Sequence, residues 1–454
     1  MFGKILIANR GEIALRILRA CRDLGIKTVI AHSEADRGAR FLKLADQAVC
    51  VGPAPASLSY LNAPAILSAA VVSDAEAIHP GYGFLSGSAD FAARVEAAGL
   101  AFIGPRPETL ALINDKTRLR AAMKGAGLTC IPGSEGPLPD DAKEIQRLIK
   151  KLGYPVVISA CGHRGERGMR VVHTEAALHN AITQTRAEAL DFSGKPDITL
   201  EKYLENPRHI EIQILADAHD NVIHLGDRDC SLQRKGHKLI EEAPAPGVPN
   251  RLALRIADRC AEACRSINFR GVGSFKFLVE NGEFYFAGIN ARLQVEHPLC
   301  EMVTGIDLAQ EQIRVAAGEK LRFRQRDLIF RGHAFECRIN AEDPQTFLPS
   351  PGKISSLHLP GGPGVRVECA LQAGESLTSH YDPLVAKIVA FGENRDHAIR
   401  RMRNALGEMR IEGIRTNLGL HQDLLHDANI LKGGTTLHYL EKVLAIKRDT
   451  HRKS

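Results

Sequence analysis

The chain has 454 residues, 44% of them apolar and 25% charged, with 40 glycines and no tryptophan. That length exceeds one hydrophobic core and predicts roughly two to four domains, while the composition excludes a fibrous or disordered chain. The net charge of +6 is spread along the chain except for a basic run at Lys447–Lys453, read as a solvated tail, and the scarce aromatics exclude a stacking platform for single-stranded nucleic acid.

Lys4 to Ala8 forms an apolar strand, and Ile13, Ile17, Cys21 and Leu24 mark one helix face that Gly25 ends before a strand at Thr28 to His32. Further strands are expected at Glu76 to Ile78 and Ala101 to Ile103, so residues 1–114 read as a small parallel-sheet domain. Gly-x-Gly-x-x-Gly is missing after the first strand, which argues against a dinucleotide site. From Lys116 the pattern is α+β. Strands at Tyr154 to Ser159 and Met169 to His173 flank a glycine-containing turn, a hairpin lid within about 131–203. A β-rich stretch runs from Ile198 to Asp229, and another, Gly273 to Ile289, turns at Asn281-Gly282, a strong hairpin signal. Beyond about residue 330, Pro349, Pro351, Gly352 and the loop from Pro360 open a C-terminal α+β block to 446, with 447–454 as the basic tail.

The 10 cysteines include no Cys-x-x-Cys pair. They fit buried thiols of a reducing cytoplasm better than a zinc site or disulfides, and Cys260 and Cys264, one helical turn apart, read as packing residues. The N-terminus leads straight into a strand and no apolar run reaches membrane-spanning length, so a cytoplasmic protein with no membrane or nucleic-acid partner is expected.

Six motifs in order carry a resemblance: Ile7-Ala-Asn-Arg-Gly-Glu-Ile-Ala, His79-Pro-Gly-Tyr-Gly-Phe-Leu-Ser, Glu201-Lys-Tyr-Leu, Arg228-Asp-Cys-Ser, Glu241-Glu-Ala-Pro-Ala-Pro and Arg292-Leu-Gln-Val-Glu-His-Pro. Together they resemble the biotin carboxylase subunit of acetyl-CoA carboxylase over about residues 1–446. The resemblance implies an N-terminal pre-ATP-grasp domain (1–114), an ATP-grasp domain with a mobile lid (115–329) and a C-terminal biotin carboxylase domain (330–446). The same core occurs in pyruvate and propionyl-CoA carboxylases, so the motifs imply the reaction more securely than the pathway. The short extension after the C-terminal block favours the separate-subunit type, serving fatty acid synthesis. Ala122-Met123-Lys124-Gly125 lacks the second Met of a biotinyl site and sits in a helical pattern, so biotin is expected on a separate carrier protein.

In the implied reaction ATP and Mg²⁺ activate bicarbonate as carboxyphosphate, and a ureido nitrogen of biotin captures the carbon dioxide. That chemistry needs an anion grip, a base and neutralisation of transferring phosphate. The resemblance assigns bicarbonate to Arg292, Gln294 and the Val295 backbone, the general base to Glu296, the bicarbonate-to-phosphate bridge to Lys238 and the biotin oxygen to Arg338, with Tyr82 lining the same pocket. A guanidinium fork suits a planar carboxylate-like anion. Lys116, Glu201, Lys202, Leu204, His209, Gln233 and Leu278 resemble the ATP contacts. Arg16, Arg19 and Arg366 resemble dimer-contact positions, although each alone reads as solvated surface. Expected partners are the biotin carboxyl carrier protein, carboxyltransferase subunits, and either a second copy or an active paralogue.

Departures from the family pattern fall on the phosphate and metal positions. Ser159 replaces an ATP-contacting lysine, and His163, Arg164 and Glu166 intrude in a lid turn that is otherwise a glycine run. Gly236 and His237 change the flank of Lys238, and Gly87-Ser88 replaces an acidic-amide pair. Lys276 and Gly288 stand where the magnesium carboxylates fall, which leaves only Asn290 as a metal residue. Magnesium needs hard oxygen ligands. At about 4 Å and an effective dielectric of about 20, Mg²⁺ and an ammonium repel by roughly 8 kcal/mol before relaxation. The sequence therefore supports a biotin carboxylase lineage with impaired catalysis, beside two further readings: a working subunit with unusual metal ligation, and a non-catalytic regulator or assembly partner.

Overall fold

A computed structural model describes the backbone of residues 1–161 and 168–453, with side chains left aside at 192, 193 and 447–453. His163, Arg164 and Glu166 of the lid turn lie outside the described residues.

The chain opens with β1 (Lys4–Ile7) and the helix Gly11–Asp23, whose buried face holds Ile13, Ile17 and Cys21 at the spacing of one helical stripe. With β2 (Lys27–Ser33), β3 (Gln47–Gly52), β4 (Ala77–His79) and β5 (Ala101–Phe102) it forms a parallel sheet in the order β3-β2-β1-β4-β5. The sequence pattern misses β3 because it is a largely exposed edge strand, without the continuous apolar run of a buried parallel strand.

Next, β6 (Val156–Ala160), β7 (Met169–Val172) and β8 (Ile198–Lys202) build an antiparallel sheet in the order β7-β6-β8. Helices Ala142–Leu152 and Glu175–Ser193 flank it, and Ile145, Ile149, Val156, Ile158 and Leu200 give this unit a core of its own.

The remaining strands are β9 (Arg208–Ala216), β10 (Val222–Arg234), β11 (His237–Ala243), β12 (Gly271–Glu280), β13 (Glu283–Asn290) and β14 (His333–Asn340). Shorter pieces follow at β15 (Gly352–Lys353), β16 (Ser356–His358), β17 (Val365–Cys369) and β18 (Ser376–Leu377), then β19 (Leu384–Gly392) and β20 (Arg410–Glu412). Eight of them make one sheet in the order β13-β12-β9-β10-β11-β14-β19-β17. Through the β11–β14 pairing this sheet runs across residue 330 without a break, so side chains distant in sequence reach one face. The β12–β13 hairpin turns at Asn281 (φ 53°) and Gly282 (φ 81°), the two positive-φ positions of the tight turn that Asn-Gly favours.

Cys260 and Cys264 are buried in the helix Asn250–Ser266, all ten cysteines are free thiols, and Ala122–Gly125 is helical. The backbone of the basic run belongs to the helix Tyr439–Lys453, whose first turns hold the buried Leu440 and Leu444. One expectation needs correction. Arg16 is buried, with Nη2 at 2.9 Å from Glu301 and 2.6 Å from Asp307, and Arg366 also reaches Glu301 at 2.7 Å, so these arginines tie the N-terminal sheet to later elements of the same chain. Among the described residues no helix is long and apolar enough to cross a membrane.

Lys387, on β19 and fully buried, donates to the Val295 carbonyl at 2.8 Å and lies 3.2 Å from the Glu12 carboxylate as an ion pair. It joins the first helix, the central sheet and the C-terminal region. Lys387→Met strands Glu12 in the interior and should cost roughly 3–5 kcal/mol, with partial recovery when Glu12→Gln is added. Urea midpoints of the two variants check this, and a loss below about 1 kcal/mol contradicts it.

Candidate active site

Along β9, His209, Glu211 and Gln213 alternate with Ile210, Ile212 and Ile214, so one face of the strand is polar although every one of these residues is buried. Glu211 is the hub of that face. One of its oxygens accepts from Lys238 (2.7 Å) and His209 Nε2 (3.0 Å), and the other from Arg228 (2.7 Å) and Ser274 (2.9 Å). Gln233 Nε2 donates to His209 Nδ1 at 2.9 Å, which leaves the imidazole proton on Nε2, facing Glu211. Burial, reinforced by the nearby Lys276 ammonium, pushes His209 down to about 3, so it is neutral at physiological pH.

A second carboxylate is bound to the first. Lys238 bridges Glu211 to Glu296 Oε1 at 2.5 Å, and Arg338 donates to Glu296 Oε2 at 2.8 Å while also contacting Glu241. Burial opposes the Glu296 charge, but Lys238, Arg228 and Arg338 together outweigh burial and the like charge of Glu211, and its carboxyl falls to about 2. Both Glu296 oxygens are therefore engaged by cations in this state. Arg292 turns its guanidinium onto the Leu293 carbonyl (3.0 Å) and Gln294 Oε1 (3.2 Å), and the Gln294 amide nitrogen faces Ser274 Oγ at 3.2 Å. The Val295 carbonyl is held by Lys387.

These groups line one cleft of about 600 Å³ between the N-terminal sheet and the central one. It gathers Glu296, Lys238, Arg292, Arg338, Gln294, Val295 and Tyr82, and with them His209, Gln233, Lys276 and Asn290. The Asn9 amide fixes the rim by donating to the Pro80 and Tyr82 carbonyls, both at 2.7 Å, and Gly81 has a positive φ of 61° and packs closely on Asn9 and Ile13, so a side chain there is strained. The other nucleotide candidates sit elsewhere. Lys116 and Arg120 each hold Glu201 at 2.8 Å, Leu204 is buried, Leu278 is half-buried, and Ser159 lies in the β6–β8 sheet. Lys202 lines a second cleft of about 480 Å³ beside Tyr203, Arg208 and Glu280, and donates to the Gly153 and Tyr154 carbonyls at 3.2 Å.

Sequence reasoning missed Glu211, Arg228, Glu241 and Lys387. The polar-apolar alternation of β9 was the available signal for the first; Arg228 is quoted in a motif without a role because the sequence does not show what it faces.

The donor set does not fit magnesium. Lys276 pairs in register with Glu211 on one side and Gly288 on the other. Its ammonium makes no hydrogen bond or ion pair among the described residues, and the Gly288 position opens on empty space. Asn290 supplies one neutral oxygen, and Glu280, at the hairpin turn, accepts from the Asn206 backbone N–H at 2.6 Å in the other cleft. Glu211 and Glu296 lie close together with Cys230, but Arg228 and Lys238 already neutralise both carboxylates. An ammonium, an amide and a bare backbone do not make a hard-oxygen site for a divalent ion.

Three family descriptions match the chain: "Biotin carboxylase, N-terminal domain" at residues 1–110, "Carbamoyl-phosphate synthase L chain, ATP binding domain" at 115–324 and "Biotin carboxylase C-terminal domain" at 336–442. The biotin carboxylase of Allochromatium vinosum is 58% identical over 446 residues, 98% of this chain and 99% of that one. A biotin carboxylase–βγ-ATP complex from Campylobacter jejuni superposes with a TM-score of 0.93 at 43% identity, covering 97% of this chain and 99% of that one. The biotin carboxylase domain dimer of Hydrogenobacter thermophilus 2-oxoglutarate carboxylase, in complex with MgADP, ADP and bicarbonate, superposes at 0.91 with 43% identity, covering 97% and 98%.

Behind Arg338, the buried His421 contacts the Arg338 carbonyl through Nε2 at 2.7 Å, and burial pushes its pKa down to about 4 despite that bond. The folded value lies below the unfolded value of about 6.5, so the unfolded chain takes the proton first and stability contributed here falls as pH drops from 7 toward 4, by roughly 2 kcal/mol at pH 5. His421→Gln lacks this titration. The stability gap between wild type and His421→Gln should narrow between pH 7 and pH 5 in urea melts; a constant gap contradicts the assignment.

Proposed function

The chain belongs to the biotin carboxylase family, and we propose that within it this protein keeps the site for bicarbonate and the biotin ureido group while its magnesium-dependent activation of bicarbonate by ATP is impaired. The carrying observation is the facing pair Lys276 and Gly288 on the hairpin that borders the cleft. A protein so altered acts by binding, as a regulatory or assembly partner of an active biotin carboxylase or of the biotin carrier protein, with fatty acid synthesis as the setting. The MgADP and bicarbonate held by the Hydrogenobacter relative support bicarbonate and nucleotide as the ligands.

In this reading bicarbonate enters between Arg292, Lys238 and Arg338, and the ureido group lies toward Tyr82. An arriving anion competes with Glu296 for Lys238 and Arg338. As those cations turn to it, Glu296 loses the pairs that depress its pKa and becomes the proton acceptor. Adenine and ribose contacts fall to Glu201, Lys202, Leu204, His209, Gln233 and Leu278, with Lys116 beside them. The domains run 1–114, 115–329 with the lid at about 131–203, and 330–446, followed by the tail. The unit assembles as a homodimer or with an active paralogue, and works in the cytoplasm beside carboxyltransferase subunits.

Bicarbonate-dependent ADP release from MgATP and free biotin should stay at background. Release at the rate of an active relative assayed in parallel overturns the reading in favour of a working subunit. Lys276→Glu combined with Gly288→Glu should tighten MgATP binding by roughly tenfold or more, as measured by calorimetry. Unchanged affinity assigns the defect to Ser159 or the lid turn.

A further inference from the structure

Among the described residues, Lys276 is a cation of the cleft with no hydrogen-bond or ion-pair partner. Arg228 and Lys238 are bonded to Glu211 and Glu296, and Arg338 to Glu241 and Glu296. Lys276 sits directly beside Glu211 in the β9–β12 register, yet among the described residues no carboxylate lies within ion-pairing distance of it, and both Glu211 oxygens are engaged elsewhere. An ammonium held half-buried with a second ammonium, Lys238, nearby is electrostatically unfavourable until an anion enters. Burial first, and then Lys238, depress its pKa accordingly. Gly288 across the hairpin leaves open volume against it, and Asn290 adds an amide on the same border.

We propose that Lys276 forms a direct oxyanion site in which a phosphate group is bound by protein cations without a divalent metal. Resting on the reading that nucleotide phosphates enter this cleft, it specifies how they are held: the ammonium takes the place that a bridging metal otherwise fills, with Lys238 and Asn290 on either side. A single ammonium brings one positive charge and no fixed coordination geometry, so it neutralises two phosphates poorly and the site holds a phosphate without promoting its transfer. The ligand class is a nucleoside diphosphate or inorganic pyrophosphate in its metal-free form. Magnesium then competes with Lys276 for the same oxygens.

The test is ADP binding by calorimetry to the full-length protein, in EDTA and in excess Mg²⁺. Affinity in EDTA should equal or exceed that in Mg²⁺. Lys276→Gln should weaken binding in EDTA by roughly ten- to a hundredfold, the worth of one charge-assisted hydrogen bond. A tenfold tightening of wild-type binding by Mg²⁺, or a Lys276→Gln variant that binds ADP in EDTA as wild type does, overturns the proposal. If the variant does not fold, thermal stabilisation of wild type by inorganic pyrophosphate decides: a shift in EDTA that Mg²⁺ abolishes supports the site, and a shift that appears only with Mg²⁺ overturns it. ADP release is scored separately, so turnover in a protein that binds ADP without metal sinks the impaired-catalysis reading and leaves this site standing.

Discussion

Glu211 organises the cleft. Its two oxygens receive Lys238, Arg228, His209 and Ser274, and through Lys238 it is coupled to Glu296 and then to Arg338 and Glu241. Charges removed from water in this way persist only when each finds partners of opposite sign, since an unpaired buried carboxylate costs several kcal/mol. The network therefore fixes β9, β10, β11, β12 and β14 relative to one another at the bottom of the cleft. It also holds both Glu296 oxygens on cations, which keeps that carboxyl ionised.

That arrangement explains why the replacements at one edge matter more than their number suggests. Lys276 lies beside Glu211, both of whose oxygens are already engaged, and among the described residues no carboxylate pairs with its ammonium. In the proposed reading, the positive charge at this border suits an anion and not a divalent cation. Arg292, Gln294 and Glu296 line the same cleft as Lys276. The backbone follows the family, and the proposed loss of metal binding rests on the two residues at this edge.

Much of this was legible in the chain itself. Apolar stripes gave the first helix and four of the five strands of the N-terminal sheet, and Asn281-Gly282 gave the hairpin that carries Lys276 and Gly288. The motif around Arg292 led to the residues that the cleft gathers. Other features were hidden for physical reasons. β3 is an exposed edge without an apolar signature. Lys387, in an apolar strand, looks like an isolated charge until Glu12 and the Val295 carbonyl are seen beside it. Arg16 resembles any surface arginine, because its partners Glu301 and Asp307 lie far along the chain. Long-range charge pairing leaves no local pattern, and the sequence alone could not report it.

The central claim is that the β12–β13 hairpin offers no seat for a divalent ion. Free Mn²⁺ can be followed by electron paramagnetic resonance while ADP and the protein are titrated together, with Mn²⁺ standing for Mg²⁺. The account predicts that free Mn²⁺ in the mixture never falls below that of ADP alone and rises as protein withdraws metal-free ADP. Stoichiometric loss of the free-ion signal on adding protein, reversed by Asn290→Ala, would contradict it.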